Sequence, residues 1–215
     1  MAKRTSQSKP TVIVIDDDES VREALRGLFK SVGLSTEVYP SVQAFDAAGR
    51  PDPAGCMVLD IRLPGQSGLD FQETLIRAGE CRSVILISGH ADVPMSVRAM
   101  KAGAIEVLTK PVREQELLEA VQRAIAHDAG RRAEMDVKIA LEARVETLTE
   151  RERQVMVLVV TGMPNKQIAS AIGVTEATVK LHRGQVMRKM EAESLVELVR
   201  MADFLGWAQP KSALI

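Results

Sequence analysis

Val12-Ile13-Val14-Ile15-Asp16-Asp17 is the stretch on which the fold turns: an apolar run that ends on carboxylates. Working outward, Met57-Val58-Leu59 ends on Asp60, and Val84-Ile85-Leu86-Ile87 ends on Ser88. The run from Ile105 to Thr109, with Glu106 inside it, ends on Lys110-Pro111. Short runs of valine, isoleucine and leucine suit strands buried on both faces of a parallel sheet. Carboxylates, a hydroxyl and an ammonium group then gather at the carboxyl ends of strands. In open α/β sheets that edge binds ligands.

Between Thr11 and His127 the runs 11–15, 35–38, 54–59, 83–87 and 105–109 alternate with stretches of helical period. Examples are Val21, Leu25, Leu28 and Val32, and Leu117, Leu118, Val121 and Ile125. Gly33, Gly79 and Gly103 stand where helices should stop. This pattern predicts an α/β domain over 11–127: a doubly wound, five-stranded parallel sheet of order 2-1-3-4-5. Residues 128–148 are charge-rich with a thin apolar row and read as a mostly helical linker able to extend the fifth helix, weakest at Gly130; a disordered tether is the rival. From Thr149 the pattern is wholly helical, predicting an all-α, four-helix helix-turn-helix domain over 149–206. Thr149-Glu150-Arg151-Glu152 and Ser194-Leu195-Val196-Glu197 each read as a capping box.

In the predicted sheet order the first and third strands are neighbours, so Asp16, Asp17 and Asp60 converge. Clustered carboxylates repel unless a cation sits among them. An oxygen-only set favours Mg²⁺, with Mn²⁺ possible. Lys110 and Ser88 complete a set suited to phosphoryl transfer onto a carboxylate. Asp60, central among them, is the expected acceptor. Asp18 is better placed to cap the next helix.

In the helical part, Asn165 to Ala169, Gly173-Val174 and then Thr175 to Met190 form a helix, a glycine turn and a second helix. Residues 1–146 carry 19 basic and 22 acidic side chains, and residues 147–215 carry 9 and 7. The first part is thus slightly acidic and the second slightly basic, which alone is weak grounds for nucleic-acid binding. No apolar run approaches the ~20 residues of a membrane span, and Met1 to Lys9 has no following apolar core, unlike a secretory signal. Cys56 and Cys81 are expected to be buried thiols in a cytoplasmic protein.

Ile15-Asp16-Asp17-Asp18, Asp60-Ile61-Arg62-Leu63-Pro64-Gly65, Ser67-Gly68, Ser88-Gly89-His90 and Lys110-Pro111 resemble the signature of two-component receiver domains. Leu148 to Val155, Gly162, Asn165 to Ala169, Thr178-Val179-Lys180-Leu181-His182-Arg183 and Lys189-Met190 resemble the LuxR-type DNA-binding domain. Together they look like a NarL/FixJ-class response regulator, nearest the FixJ-like branch. The resemblance implies a sensor histidine kinase that phosphorylates Asp60. It also implies Mg²⁺ on Asp16, Asp17, Asp60 and the backbone carbonyl of Arg62, with Ser88 and Lys110 gripping the phosphoryl oxygens and Lys110–Pro111 cis. Lys180, Leu181 and Gly184 would face bases of double-stranded DNA in the major groove, and Lys166, Thr178, Arg183 and Arg188 would meet phosphates. Phosphorylation would promote a homodimer, with Met95, Met100, Ile105 and Val107 as candidates for its face, and RNA polymerase is a further expected partner. Val107 stands where many receivers carry an aromatic switch residue, and Val112 where phenylalanine is frequent. Such a chain is not an enzyme beyond its own phosphorylation and dephosphorylation. One rival reading is a haloacid-dehalogenase-like phosphatase with Asp16 as nucleophile and Asp18 as acid. Another is a phosphorylated adaptor whose helical part binds protein.

Overall fold

The structure, a computed structural model, describes residues 9–89 and 93–207. His90 and the tail beyond Trp207 lie outside them. Two compact units divide the chain between Arg132 and Ala133.

In the first unit, β1 (Thr11–Ile15), β2 (Ser35–Tyr39), β3 (Gly55–Asp60), β4 (Val84–Ser88) and β5 (Glu106–Thr109) form one parallel sheet of order β2-β1-β3-β4-β5. Between them run α1 (Glu19–Ser31), α2 (Val42–Ala47), α3 (Gly68–Arg77) and α4 (Val93–Lys101), and α5 (Glu114–Glu146) follows. Side chains of a strand alternate between faces, and both faces here are covered. Ile13, Ile15, Met57, Leu59 and Leu86 pack with Phe45, Phe71, Leu75 and Ala99 on one side. Val12, Val14, Val58, Ile85 and Ile87 pack with Phe29, Leu117, Val121 and Ala124 on the other. The unbroken apolar runs are therefore two interleaved faces, one per core.

Local chemistry sets the ends of elements. Asp18 caps α1, accepting from the amides of Ser20 and Val21. Gly33, Gly79 and Gly103 take positive φ just past α1, α3 and α4, the conformation that ends helices most cheaply in glycine.

Several expectations need correction. Cys81 is exposed, because it lies in the turn between α3 and β4 rather than in a strand. Gly130 does not interrupt the helix: α5 runs through it to Glu146, so residues 133–146 are helical and not a disordered tether. Beyond the expected end at 127, Asp128 is buried, accepting from the Gly55 amide (2.9 Å), Arg131 (2.6 Å) and Arg132 (2.7 Å). Arg132 also bonds Asp52 at 2.8 Å, which holds this turn of α5 to the first unit.

The second unit contains α6 (Glu150–Val160), α7 (Asn165–Ile172), α8 (Glu176–Met190) and α9 (Leu195–Phe204) around a core of Val155, Met156, Val159, Ile168, Val179, Val186, Met190 and Leu198. The Thr149–Glu152 capping box forms. At α9 only half of one does: Ser194 accepts from the Glu197 amide, while the Glu197 carboxylate takes the Glu193 amide, one residue too early.

Candidate functional site

Asp16 follows β1, Asp60 and Ser88 end β3 and β4, and Lys110 follows β5. The register pairs Ile15 with Leu59, Asp60 with Ile87 and Ser88 with Thr109, so the parallel strands end level and their last residues share one rim. The Lys110 amide donates to the Ser88 carbonyl at 2.7 Å, which keeps the lysine beside β4. The Lys110–Pro111 bond is cis, as the resemblance implied.

On that rim the Lys110 ammonium donates to Asp16 Oδ2 at 3.0 Å and to Asp60 Oδ2 at 2.5 Å. Asp60 Oδ1 accepts from the Arg62 amide at 2.9 Å, and Asp16 Oδ1 from the Asp18 amide at 2.9 Å. Asp16 and Asp60 are buried and Asp17 is exposed, yet one carboxylate oxygen from each lies within 4.8 Å of the others. Burial pushes the Asp16 carboxyl up, and the Asp60 charge adds to this against the Lys110 and Asp18 hydrogen bonds. Burial disfavours the Lys110 ammonium, but its bonds to Asp60 and Asp16 outweigh that and raise its pKa. Among the described residues the two buried carboxylates share the Lys110 ammonium as ion-pair partner, while the Arg22 guanidinium bonds the Asp16 and Asp17 backbone carbonyls. The donor set, all carboxylate oxygen, fits a hard divalent cation. A solvent-open hollow of about 580 Å³ beside it is lined by Asp17, Arg62, Leu63, Pro64 and Ser67.

Ser88 is fully buried, its hydroxyl 3.8 Å from the Met95 sulfur. Asp16, Asp17, Asp60 and Lys110 are thus brought together, with Ser88 on the same rim and the Arg62 backbone at Asp60. Asp18 is held by its cap and by the Ser20 hydroxyl at 2.6 Å, which leaves the dehalogenase-like acid role without support.

Of the four residues expected on a dimer face, only Met100 is exposed. Met95 and Val107 pack on one core and Ile105 on the other. The exposed apolar residues of α4 are instead Val93, Val97 and Met100.

In the second unit, Gly173 in the left-handed region turns α7 into Thr175, which caps α8 through the Thr178 amide and also bonds the Thr178 hydroxyl at 2.8 Å. Lys166, Lys180, Leu181, Gly184 and Arg188 are exposed, and Thr178 and Arg183 are half-buried. Arg183 donates to Asn165 Oδ1 at 3.2 Å and Arg188 to Gln185 Oε1 at 2.6 Å.

Lys189 has a role that sequence reasoning missed. It turns inward onto Glu152 Oε2 at 2.6 Å and the Thr147 carbonyl at 2.9 Å. Glu152 is only 5% exposed. The Lys189 hydrogen bond, aided by the Thr149 amide, holds its carboxyl below the ordinary range. A depressed carboxyl adds stability that is present above its unfolded-state pKa and lost as pH falls through its folded pKa. Thermal unfolding of the second unit between pH 6 and pH 3 should therefore drop more steeply in the native protein than in Glu152→Gln. Parallel curves would contradict this.

Both units resemble known proteins. The profile of the family described as response regulator receiver domain matches residues 12–122, and that of bacterial regulatory proteins, luxR family, matches residues 146–202. Nodulation protein W of Bradyrhizobium diazoefficiens is 47% identical over 94% of this chain and 88% of its own. The transcriptional regulatory protein FixJ of Azorhizobium caulinodans is 42% identical over 94% and 96%. The structure of the response regulator StyR superposes with a TM-score of 0.79 at 45% identity, covering 91% of this chain and 99% of that one.

Proposed function

The chain belongs to the response regulators that join a receiver domain to a LuxR-type DNA-binding domain, and from that premise we propose that Asp60 is its phosphoacceptor and that phosphorylation there controls DNA binding through α8. The observation that carries this reading is the Lys110 ammonium set between two buried carboxylates at one strand rim. Lys110 already lies on Asp60 Oδ2, so a phosphoryl group formed on Asp60 arrives within its reach. The Asp60 carboxylate attacks the phosphorus of a sensor kinase's phosphohistidine. The new P–O bond forms as the P–N bond breaks, and the imidazole leaves. Ser88, buried on the neighbouring strand, supplies a hydroxyl for a phosphoryl oxygen.

Asp16, Asp17, Asp60 and the backbone carbonyl of Arg62 would hold Mg²⁺, or Mn²⁺ in its place. Such an ion neutralises charge on the transferring phosphoryl group. Chelation with EDTA should abolish labelling by acetyl phosphate, and added Mg²⁺ should restore it. Labelling undiminished in EDTA would overturn the metal assignment.

Phosphorylation adds roughly −1.5 to −2 charge at Asp60, enough to bias Ser88, Lys110 and the adjoining α4 toward a second arrangement. The exposed Val93, Val97 and Met100 on α4 support a dimer face there. A dimer places two copies of α8 on half-sites about one DNA turn apart. Lys180, Leu181 and Gly184 then face bases, and Lys166, Thr178, Arg183 and Arg188 face phosphates. RNA polymerase is the downstream partner, and the cytoplasm, where kinase and DNA are both reachable, is the compartment. Among the described residues no helix is long and apolar enough to cross a membrane. Arg183→Ala should weaken binding to every duplex and lower the salt-dependence slope by about 1. Unchanged slope and affinity would remove Arg183 from the phosphate set.

A further inference from the structure

The outward face of α8 is apolar at its centre. The inner face of the helix is fixed by Val179, Val186 and Met190, all buried. With 3.6 residues per turn, Ala177, Leu181, Gly184 and Arg188 all lie within about 40° of the line opposite Val179, and all four are exposed. Leu181 is 63% exposed, the most exposed large apolar side chain in the second unit's described residues. A Cβ placed on Gly184 would meet nothing within 4 Å, so the surface beside Leu181 is low and open. The charged groups lie to the sides or further along. Lys180 is about 80° off this line, its ammonium 3.7 Å from Glu176. Arg183 is about 140° off and bonded to Asn165. Arg188 sits two turns beyond Leu181 and bonds Gln185.

This central face carries no donor or acceptor side chain until Arg188. In the major groove the base edges offer donors and acceptors, and a single apolar group, the C5-methyl of thymine. An alanine–leucine–glycine surface gains nothing from the polar edges but buries surface against that methyl. Resting on the reading of α8 as the DNA-reading helix, we infer that Leu181 is a specificity-determining residue that selects a thymine in each half-site through its C5-methyl. Ala177 and Gly184 leave room for the base pair to come close.

The test uses the full chain treated with acetyl phosphate and Mg²⁺. Bound duplexes are selected from a random-sequence pool, and each thymine of the consensus is then replaced singly by uracil, which removes only the methyl. One thymine per half-site should show a loss of about fourfold, the value of one buried methyl group. Leu181→Ala, at an exposed position, should keep the native circular-dichroism spectrum and melting temperature. It should bind thymine and uracil duplexes equally, at the affinity of the native protein for uracil. A flat uracil scan in the native protein, or methyl sensitivity that survives in Leu181→Ala, overturns the inference while DNA binding stands. Failure to retain any duplex overturns the DNA-binding reading itself, and the inference with it.

Discussion

Asp60→Asn is expected to reduce acetyl-phosphate labelling to background while leaving the fold intact. The acceptor is one carboxylate oxygen, and an amide in its place cannot form the acyl phosphate. The substitution keeps the shape and the acceptor for the Arg62 amide, which meets Asp60 Oδ1 at 2.9 Å. It also removes one of two carboxylates from Lys110, so the crowding of negative charge falls and stability should not suffer. Asp16→Asn separates this reading from a phosphatase-like one. If Asp16 were the nucleophile, its variant would lose the label on Asp16 and Asp60→Asn would keep it. Mapping the labelled residue by mass spectrometry decides the matter. A label on Asp16, or labelling unaffected in Asp60→Asn, would refute the assignment.

Gly68→Ala should be strongly damaging for a single added methyl, and it acts directly beside the acceptor. The loop after β3 folds back so that the Gly68 amide bonds the Ile61 carbonyl at 3.0 Å, and α3 starts against the strand end. A Cβ on Gly68 would lie 2.1 Å from the Asp60 carbonyl oxygen and 3.0 Å from Leu59 Cγ. Neither backbone nor packed core can yield that distance, so α3 must move off β3 and take the acceptor's backbone with it. Overpacking of this kind costs about 3 kcal/mol or more, and for a unit of this size the receiver's Tm should fall by roughly 10 °C. Labelling at Asp60 should slow in parallel. Gly27, with nothing within 4 Å of an added Cβ, is the control whose alanine variant should not lower Tm. A native Tm in Gly68→Ala would contradict the close approach.

The strand ends and their polar residues are legible in sequence because a buried parallel strand is a continuous apolar run and its end is where that run stops. Asp16, Asp60, Ser88 and Lys110 declare themselves in this way. Helix limits are legible where one residue type does the capping, as at Asp18, Thr149 and Thr175. What periodicity does not carry is the pairing of charges distant in sequence. Lys189 and Arg188 look alike on paper, but Lys189 neutralises a buried glutamate 37 residues away. Asp128 looks like a linker acid, but it binds the Gly55 amide 73 residues away. Cys81 shows the same limit at an element boundary, since two residues decide whether a side chain belongs to a strand or to its turn. The outward row of α4 is hard to read from the sequence for a related reason. A helix of nine residues offers too few turns to separate its inner row, with Met95, from its outer row of Val93, Val97 and Met100.

The account's central claim is that phosphorylation of Asp60 controls DNA binding by the helical unit. It is tested most directly by band-shift titration of the full chain on its selected duplex, with and without acetyl phosphate and Mg²⁺, beside Asp60→Asn. The account predicts that acetyl phosphate raises the native protein's affinity roughly tenfold or more, about 1.4 kcal/mol of coupling, and leaves Asp60→Asn unmoved. Equal affinity of the native protein in both conditions, or an equal rise in Asp60→Asn, would contradict it.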